Sequence, residues 1–292
     1  MNRWREALPL RSAGRIGALL AAAALSGCIT VGGGATPPTS ADDPDTMAAS
    51  PANIASLTEV IGRNPNDPQA YNVRGSVLGR AGRQQEALAD FNKALSLDPN
   101  YAQAYSNRGL IYRQMRKYDL ALADYNRAIQ IDPNYAPAYL GRGAVYRAQN
   151  QGMAALEDFN KTISLKPNEA QAYYNRGLLY QAQKQHQFAI DDFTTAVSLS
   201  KHEAEPFVAR GLSYIAMQNY QAAAADLDEA VQREPKNLQA WVARGLAYER
   251  LGDKQKAAGS YAQALNIRQN YEPAKAGFAR VGGRMGQTYQ TF

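Results

Sequence analysis

Residues 102–135 read AQAYSNRGLIYRQMRKYDLALADYNRAIQIDPNY, and moving the window by 34 residues in either direction brings the same pattern back. Arg-Gly recurs at Arg74-Gly75, Arg108-Gly109, Arg142-Gly143, Arg176-Gly177, Arg210-Gly211 and Arg244-Gly245. An alanine keeps the step at Ala87, Ala121, Ala155, Ala189, Ala223 and Ala257, and a bulky residue at Phe91, Tyr125, Phe159, Phe193, Leu227 and Tyr261. Self-similarity at a fixed period of this size marks a solenoid, in which each unit is one supersecondary element that buries its apolar face only by stacking on its neighbours. The unit here is a helical hairpin, and it occurs six times.

Counted from their first residues, the copies run 68–101, 102–135, 136–169, 170–203, 204–237 and 238–271. Place 4 is aromatic throughout (Tyr71, Tyr105, Tyr139, Tyr173, Phe207, Trp241), place 8 is glycine, and place 11 is Leu78 and then tyrosine at 112, 146, 180, 214 and 248. Place 27 is Ala94, Ala128, Thr162, Ala196, Ala230 and Ala264, and proline closes copies at Pro99, Pro133, Pro167 and Pro235, with Lys201 and Gln269 in its stead twice. On these places the unit resembles the tetratricopeptide repeat (TPR). The resemblance implies an all-α, right-handed superhelix (an α-solenoid) of six hairpins with a capping helix at each end. The physics agrees: glycine at place 8 and alanine at place 20 remove bulk where two helices approach, and proline forces the link to the next copy.

Residues 1–27 carry Arg3, Arg5, Arg11 and Arg15 and then an apolar run over 16–25, the pattern of a secretory signal too short to span a bilayer unaided. Its end, Leu25-Ser26-Gly27-Cys28, looks like a bacterial lipobox and holds the chain's only cysteine. That resemblance implies cleavage before Cys28 and covalent lipid on it; no other cofactor is implied. Each buried CH₂ of the acyl chains would contribute about 0.8 kcal/mol to anchoring. Ile29 rather than Asp follows the cysteine, which by the enterobacterial sorting rule implies the periplasmic face of the outer membrane. Residues 1–27 hold four arginines and one glutamate, net +3, so removing them leaves +3 of the chain's formal +6. The basic balance then lends little support to a nucleic-acid partner.

Residues 28–51 combine Cys28 with a Gly-, Pro-, Ser-, Thr- and Asp-rich stretch that reads as a flexible tether, with an r.m.s. span of roughly 25 Å. Residues 52–67 hold Ile54, Leu57, Val60 and Ile61 at helical spacing, the second helix of an incomplete copy. Residues 272–292 give a last helix, broken by Gly282-Gly283 and Gly286, and then a loose tail.

Sixteen of the eighteen tyrosines fall on places 4, 11, 17, 24 or 34, so the aromatic excess is architecture; Tyr174 and Tyr289 are the exceptions. Place 7 is arginine in all six copies, and place 23 is Asp90, Asp124, Asp158, Asp192 and Asp226, with Ser260 in the sixth copy. An Arg–Asp ladder tying helices together is one reading; six arginines lining a track for an anionic polymer is the other. Pairing within a copy would leave Arg244 alone and pairing to the next copy would leave Arg74 alone, and the counts do not choose.

Catalysis has little to work with. His186 and His202 lie at hairpin turns, with no nucleophile set, metal-ligand spacing or phosphate-binding loop beside them. The chain reads as a non-enzyme without a small-molecule substrate. In TPR complexes ligands lie along first helices at places 2, 5, 9, 12 and 13, and carrying those places over gives the candidate binding residues. Near the start they are polar or basic (Arg80, Arg113 and Arg147 among them), and from the third copy they turn apolar: Leu140, Tyr174, Leu178, Val208, Leu212, Ile215, Val242 and Leu246. An exposed apolar strip would mark a partner site. The whole resembles bacterial TPR lipoproteins that bring peptidoglycan hydrolases to a tail-specific protease. That implies a lipid-anchored scaffold or adaptor for envelope proteins or peptides. A pilotin-like lipoprotein serving a secretin or pilus system is the alternative.

Overall fold

In a computed structural model the described residues are 50–200, 202–284 and 286–289. The leader over 1–27, Cys28 and the tether through residue 49 lie outside them. Among the described residues the chain is all helix, without a strand. Helix α1 (Pro51–Arg63) is followed by six hairpins: α2 (Pro68–Arg80) with α3 (Gln84–Leu97), α4 (Ala102–Gln114) with α5 (Tyr118–Ile131), and α6 (Ala136–Ala148) with α7 (Gly152–Leu165). Then come α8 (Ala170–Ala182) with α9 (His186–Leu199), α10 (Glu205–Ala216) with α11 (Tyr220–Arg233), and α12 (Leu238–Leu251) with α13 (Lys254–Ile267). Helix α14 (Glu272–Arg280) closes the series. Ser50 and Pro51, read above as the end of the tether, start α1: the Ser50 side chain accepts the Asn53 N–H and Pro51 sits at the first helical position, where its missing N–H costs nothing.

The links are built from the sequence locally. Asp98 and Asp132 accept the N–H groups of Asn100 and Asn134 at 2.9 Å each, while the intervening proline cannot extend the helix. The ring at place 4 then pins the link: the Tyr71 and Tyr139 hydroxyls donate to the carbonyls of Pro65 and Pro133 at 3.2 and 3.1 Å, and Trp241 Nε1 donates to Pro235 at 2.8 Å. Within each hairpin, place 15 is left-handed, with φ from +57° to +83° at Gly82, Arg116, Asn150, Lys184, Gln218 and Gly252.

Between the two helices of a hairpin the place-20 alanines are wholly buried, and so are the bulky residues of place 24. A β-carbon at Gly75, Gly143, Gly177, Gly211 or Gly245 would come within 2.9 Å of that bulky side chain. Each first helix also packs on the first helix of the next hairpin, from α2 on α4 through to α12 on α14. The layer whose members touch each other is the inner side of the curve, so the first helices line its concave face.

The arginines of place 7 settle the question that counting left open. Arg74, Arg108, Arg142, Arg176 and Arg210 each grip the aspartate of their own copy with two hydrogen bonds of 2.7–2.9 Å. The aspartate side chains are only 3–9% exposed. The remaining nitrogen, Nη1, reaches back to place 25 of the preceding copy, to Thr58, Asn92, Asn126, Asn160 and Thr194 in turn. Arg244 is not alone, contrary to the within-copy count: Nη1 bonds Ser260 at 2.7 Å, and Nε bonds Asp228 at 2.6 Å. Asp228 occupies place 25 of the preceding copy, so the carboxylate has moved from one end of the clamp to the other. Burial pushes the carboxyls of Asp124 and Asp158 up while the arginine hydrogen bonds pull them down; the arginines are held above their ordinary value, chiefly by those bonds. These guanidinium groups are occupied within the array and do not form a polymer track.

Candidate protein-binding groove

Three first helices, α4, α6 and α8, enclose a cavity of about 470 Å³ on the concave side. Its lining includes Leu110, Arg113, Pro137, Leu140, Arg147 and Tyr174. Farther along, α8, α10 and the start of α12 enclose a smaller one of about 130 Å³, lined among others by Leu178, Glu205, Val208 and Leu212. Tyr174 lines both.

The apolar residues drawn from places 5, 9 and 12 are half-buried rather than open. Leu140, Tyr174, Leu178, Leu212, Ile215, Val242 and Leu246 are intermediate, and Val208 is buried outright. Ile215 and Val242 pack against the core of the last copies. The reading of these places as an exposed strip is thus corrected: each first helix leans on the next, and the neighbour covers much of the same face. Far more exposed apolar side chains lie in the first turns of second helices, Met153 at 88% and Phe188 at 59%. Arg80 is exposed at the end of α2, outside both cavities.

Tyr174, which no packing place called for, tilts against Phe193 with ring centroids 5.9 Å apart, and burial raises its hydroxyl pKa. Tyr289 is not in a loose tail either: its ring meets Phe278 edge-on at 5.6 Å, and its hydroxyl accepts the Arg284 N–H.

Place 12 divides by partner. Gln181 donates to the Ala209 carbonyl and to Ser213 Oγ at 2.9 Å each. Glu249 accepts from Arg280 at 2.7 and 2.9 Å and from the Tyr261 hydroxyl at 2.7 Å. Among the described residues Arg113 and Arg147 make no ion pair, and each keeps a buried Nε without a hydrogen-bond partner, as no other described arginine does. Burial lowers the Arg147 pKa, and the charge of Arg113 lowers it further.

One lining residue, Tyr125, lies outside places 2, 5, 9, 12 and 13 but carries a sequence signal of its own. It belongs to place 24, in the hairpin interior, yet it reaches the groove because Gly141 leaves a gap in the wall. A β-carbon at Gly141 would lie 2.3 Å from the Tyr125 ring and 2.6 Å from its hydroxyl. Tyr261 does the same at Gly277 of α14. Where place 24 is Phe or Leu, place 6 of the next copy is Asn107, Asn175, Ala209 or Ala243, never glycine. The pairing of Tyr with Gly sixteen residues on is what to look for.

Sequence profiles described as tetratricopeptide repeat match residues 80–116, 102–135, 144–184, 170–202 and 208–273. The chain belongs to the TPR family. Its repeats have the right-handed solenoid architecture that the resemblance implied. Among solved structures, a chain of the APC/C hetero-tetramer Cut9–Hcn1 aligns with TM-score 0.71 at 18% identity, over 80% of this chain and 46% of that one. PilF of Pseudomonas aeruginosa aligns with TM-score 0.68 at 19% identity, over 75% of this TPR chain and 99% of PilF. MamA aligns with TM-score 0.51 at 27% identity, over 57% and 96%. This TPR chain spans less than half of the Cut9–Hcn1 chain it matches, and at these identities Cut9–Hcn1 and PilF are likenesses of fold. No curated protein matches it by sequence. Among the described residues no helix is long and apolar enough to cross a membrane, and no group of three His, Cys, Asp or Glu could hold a metal.

Proposed function

We propose that this TPR protein is a lipid-anchored scaffold of the bacterial envelope, facing the periplasm from the outer membrane, that holds segments of other envelope proteins along its first-helix groove. The observation that carries the reading is the pair of cavities over α4, α6, α8 and α10, with Tyr174 in the lining of both. A pocket that mixes apolar side chains with a few convergent polar groups is the usual form of a binding site. The lipid anchor rests on the sequence Leu25-Ser26-Gly27-Cys28. Membership in a family whose proteins are generally scaffolds, with no catalytic constellation in the sequence, supports a binding role without turnover.

The test uses the intact protein. Wild type and Tyr174→Ala are used to capture partners from detergent-solubilised envelopes, with Met153→Ala as a control for an exposed apolar residue off the groove. Removing an aromatic anchor often costs about 2 kcal/mol, roughly thirtyfold in affinity. Tyr174→Ala should lose the partners that Met153→Ala retains. Equal capture by a well-folded Tyr174→Ala would end the groove reading. Recovery of a wall hydrolase or protease would identify an adaptor; recovery of a secretin's terminal segment would identify the pilotin-like alternative. Cys28→Ala should abolish labelling by a fatty-acid analogue, and label retained in that variant would end the lipoprotein reading.

A further inference from the structure

The groove contains an electrostatic vacancy that the rest of the molecule avoids. Every place-7 arginine has its aspartate or, in Arg244, an aspartate of the preceding copy. Arg113 and Arg147 line the same cavity, one repeat apart on α4 and α6, with no carboxylate of the described residues on either. They repel each other, and both are partly buried. A cation taken out of water without a partner is costly, and a second cation beside it adds to the cost. The chain could have placed an acid within reach, as it did with Glu249 and Arg280 at the far end of the array. Instead the neighbouring groups are the Tyr125 hydroxyl, which reaches the cavity through the Gly141 gap, and the Tyr174 ring. Burial pushes the Tyr125 hydroxyl up to about 12, so it stays protonated and able to donate.

We propose that Arg113, Arg147 and the Tyr125 hydroxyl form a notch for one carboxylate, so that the groove selects extended partner segments by an Asp or Glu side chain set near apolar residues. This rests on the groove reading above and names the chemistry of the segment it takes. A guanidinium fork matches a carboxylate in plane and charge, and bonds of that kind are stronger than neutral ones. A peptide is favoured as the carrier because a second cavity, also lined by Tyr174, offers Leu178, Val208 and Leu212 to an apolar side chain and Gln181 and Asn237 to backbone groups. Neighbouring helices pack about 8–10 Å apart and an extended chain advances about 3.3 Å per residue, so one repeat corresponds to roughly three residues of ligand. The acidic residue therefore lies about three to six positions from the apolar one.

The experiment is a selection of random dodecapeptides displayed on phage against the detergent-purified full chain. Enriched peptides should share an Asp or Glu at one fixed distance from an apolar residue. Changing that acid to Asn or Gln in the synthetic peptide should weaken binding to wild type at least tenfold. On Arg113→Gln/Arg147→Gln the same change should have little effect, and the double variant should melt at the same temperature or higher, since an unpaired, partly buried pair of cations is gone. Peptides without a fixed acidic position, or an acidic preference that survives in the double variant, would overturn the notch. Loss of such acid-free peptides in Tyr174→Ala would leave the groove reading standing. No enrichment of any peptide, or binding of purified wall glycan strands in place of peptides, would overturn both.

Discussion

At the scale of single residues the same side-chain type does opposite things in this chain, and burial with partnership decides which. Arg142 holds Asp158 through two bonds of 2.7 and 2.9 Å, and the aspartate side chain is 3% exposed. Arg83 holds Glu86 equally closely, but those side chains are 45% and 57% exposed. Removing one partner of a buried pair typically costs about 3–5 kcal/mol, whereas an exposed pair, screened by water, contributes little. Thermal melts should therefore show a large loss for Arg142→Ala and almost none for Arg83→Ala; coincident melts would mean that the ladder does not hold the hairpins. The Tyr–Gly pairing makes a sharper case. Gly141→Ala forces a β-carbon into the Tyr125 ring, an overpacking that typically costs about 1–3 kcal/mol. Combining it with Tyr125→Phe recreates the Phe193 and Ala209 pair that the fourth and fifth copies already use. The double variant should recover most of the loss, seen as a positive coupling in a denaturation cycle. Additive losses would show that the glycine answers to something other than the ring.

At the scale of the element, the hairpin is a fixed geometry that tolerates several sequences, and the turn shows it best. Place 15 is left-handed in every copy, but glycine fills it only at Gly82 and Gly252. An L-residue there costs about 1–2 kcal/mol, which glycine avoids. Gly252→Ala should lower the melting temperature by several degrees, whereas Gln218→Ala, at a site already occupied by an L-residue, should leave it nearly unchanged. Equal shifts would mean that the turns do not carry the strain their dihedrals imply. The hairpin itself was legible in the sequence because its period is long, its glycines and alanines sit at contacts with no room, and its prolines stop helices. The partners of the clamp were less legible. Places 7 and 23 hold only part of the clamp, and a further bond runs to the Asn, Thr or Asp column at place 25, two residues farther along the same helix in the preceding copy. Arg244 looked alone because its carboxylate had moved to that column as Asp228.

At the scale of the molecule, stacking explains both what the sequence showed of the groove and what it hid. Places 5, 9 and 12 do face the concave side, but each first helix also rests on the next, so an apolar residue there serves the neighbour and the cavity together. Periodicity cannot separate these two duties; Arg113 and Arg147, charged where the surrounding groups are tyrosines and no described carboxylate pairs with them, stand out. The same nearest-neighbour logic predicts how the array comes apart. Helix α14 covers the last hairpin: Phe278 and Ala274 are buried there, Gly277 lies against Tyr261, and Arg280 holds Glu249. Fully burying one large apolar side chain contributes about 1.5–3 kcal/mol, so a chain ending at Asn270 loses several kcal/mol from one end. In a quasi-one-dimensional array that loss stays local. Amide exchange in the shortened protein should rise sharply in α12 and α13 while protection in α2 to α7 is kept. Uniform loss of protection along all the helices would show instead that the six hairpins fold as a single cooperative unit.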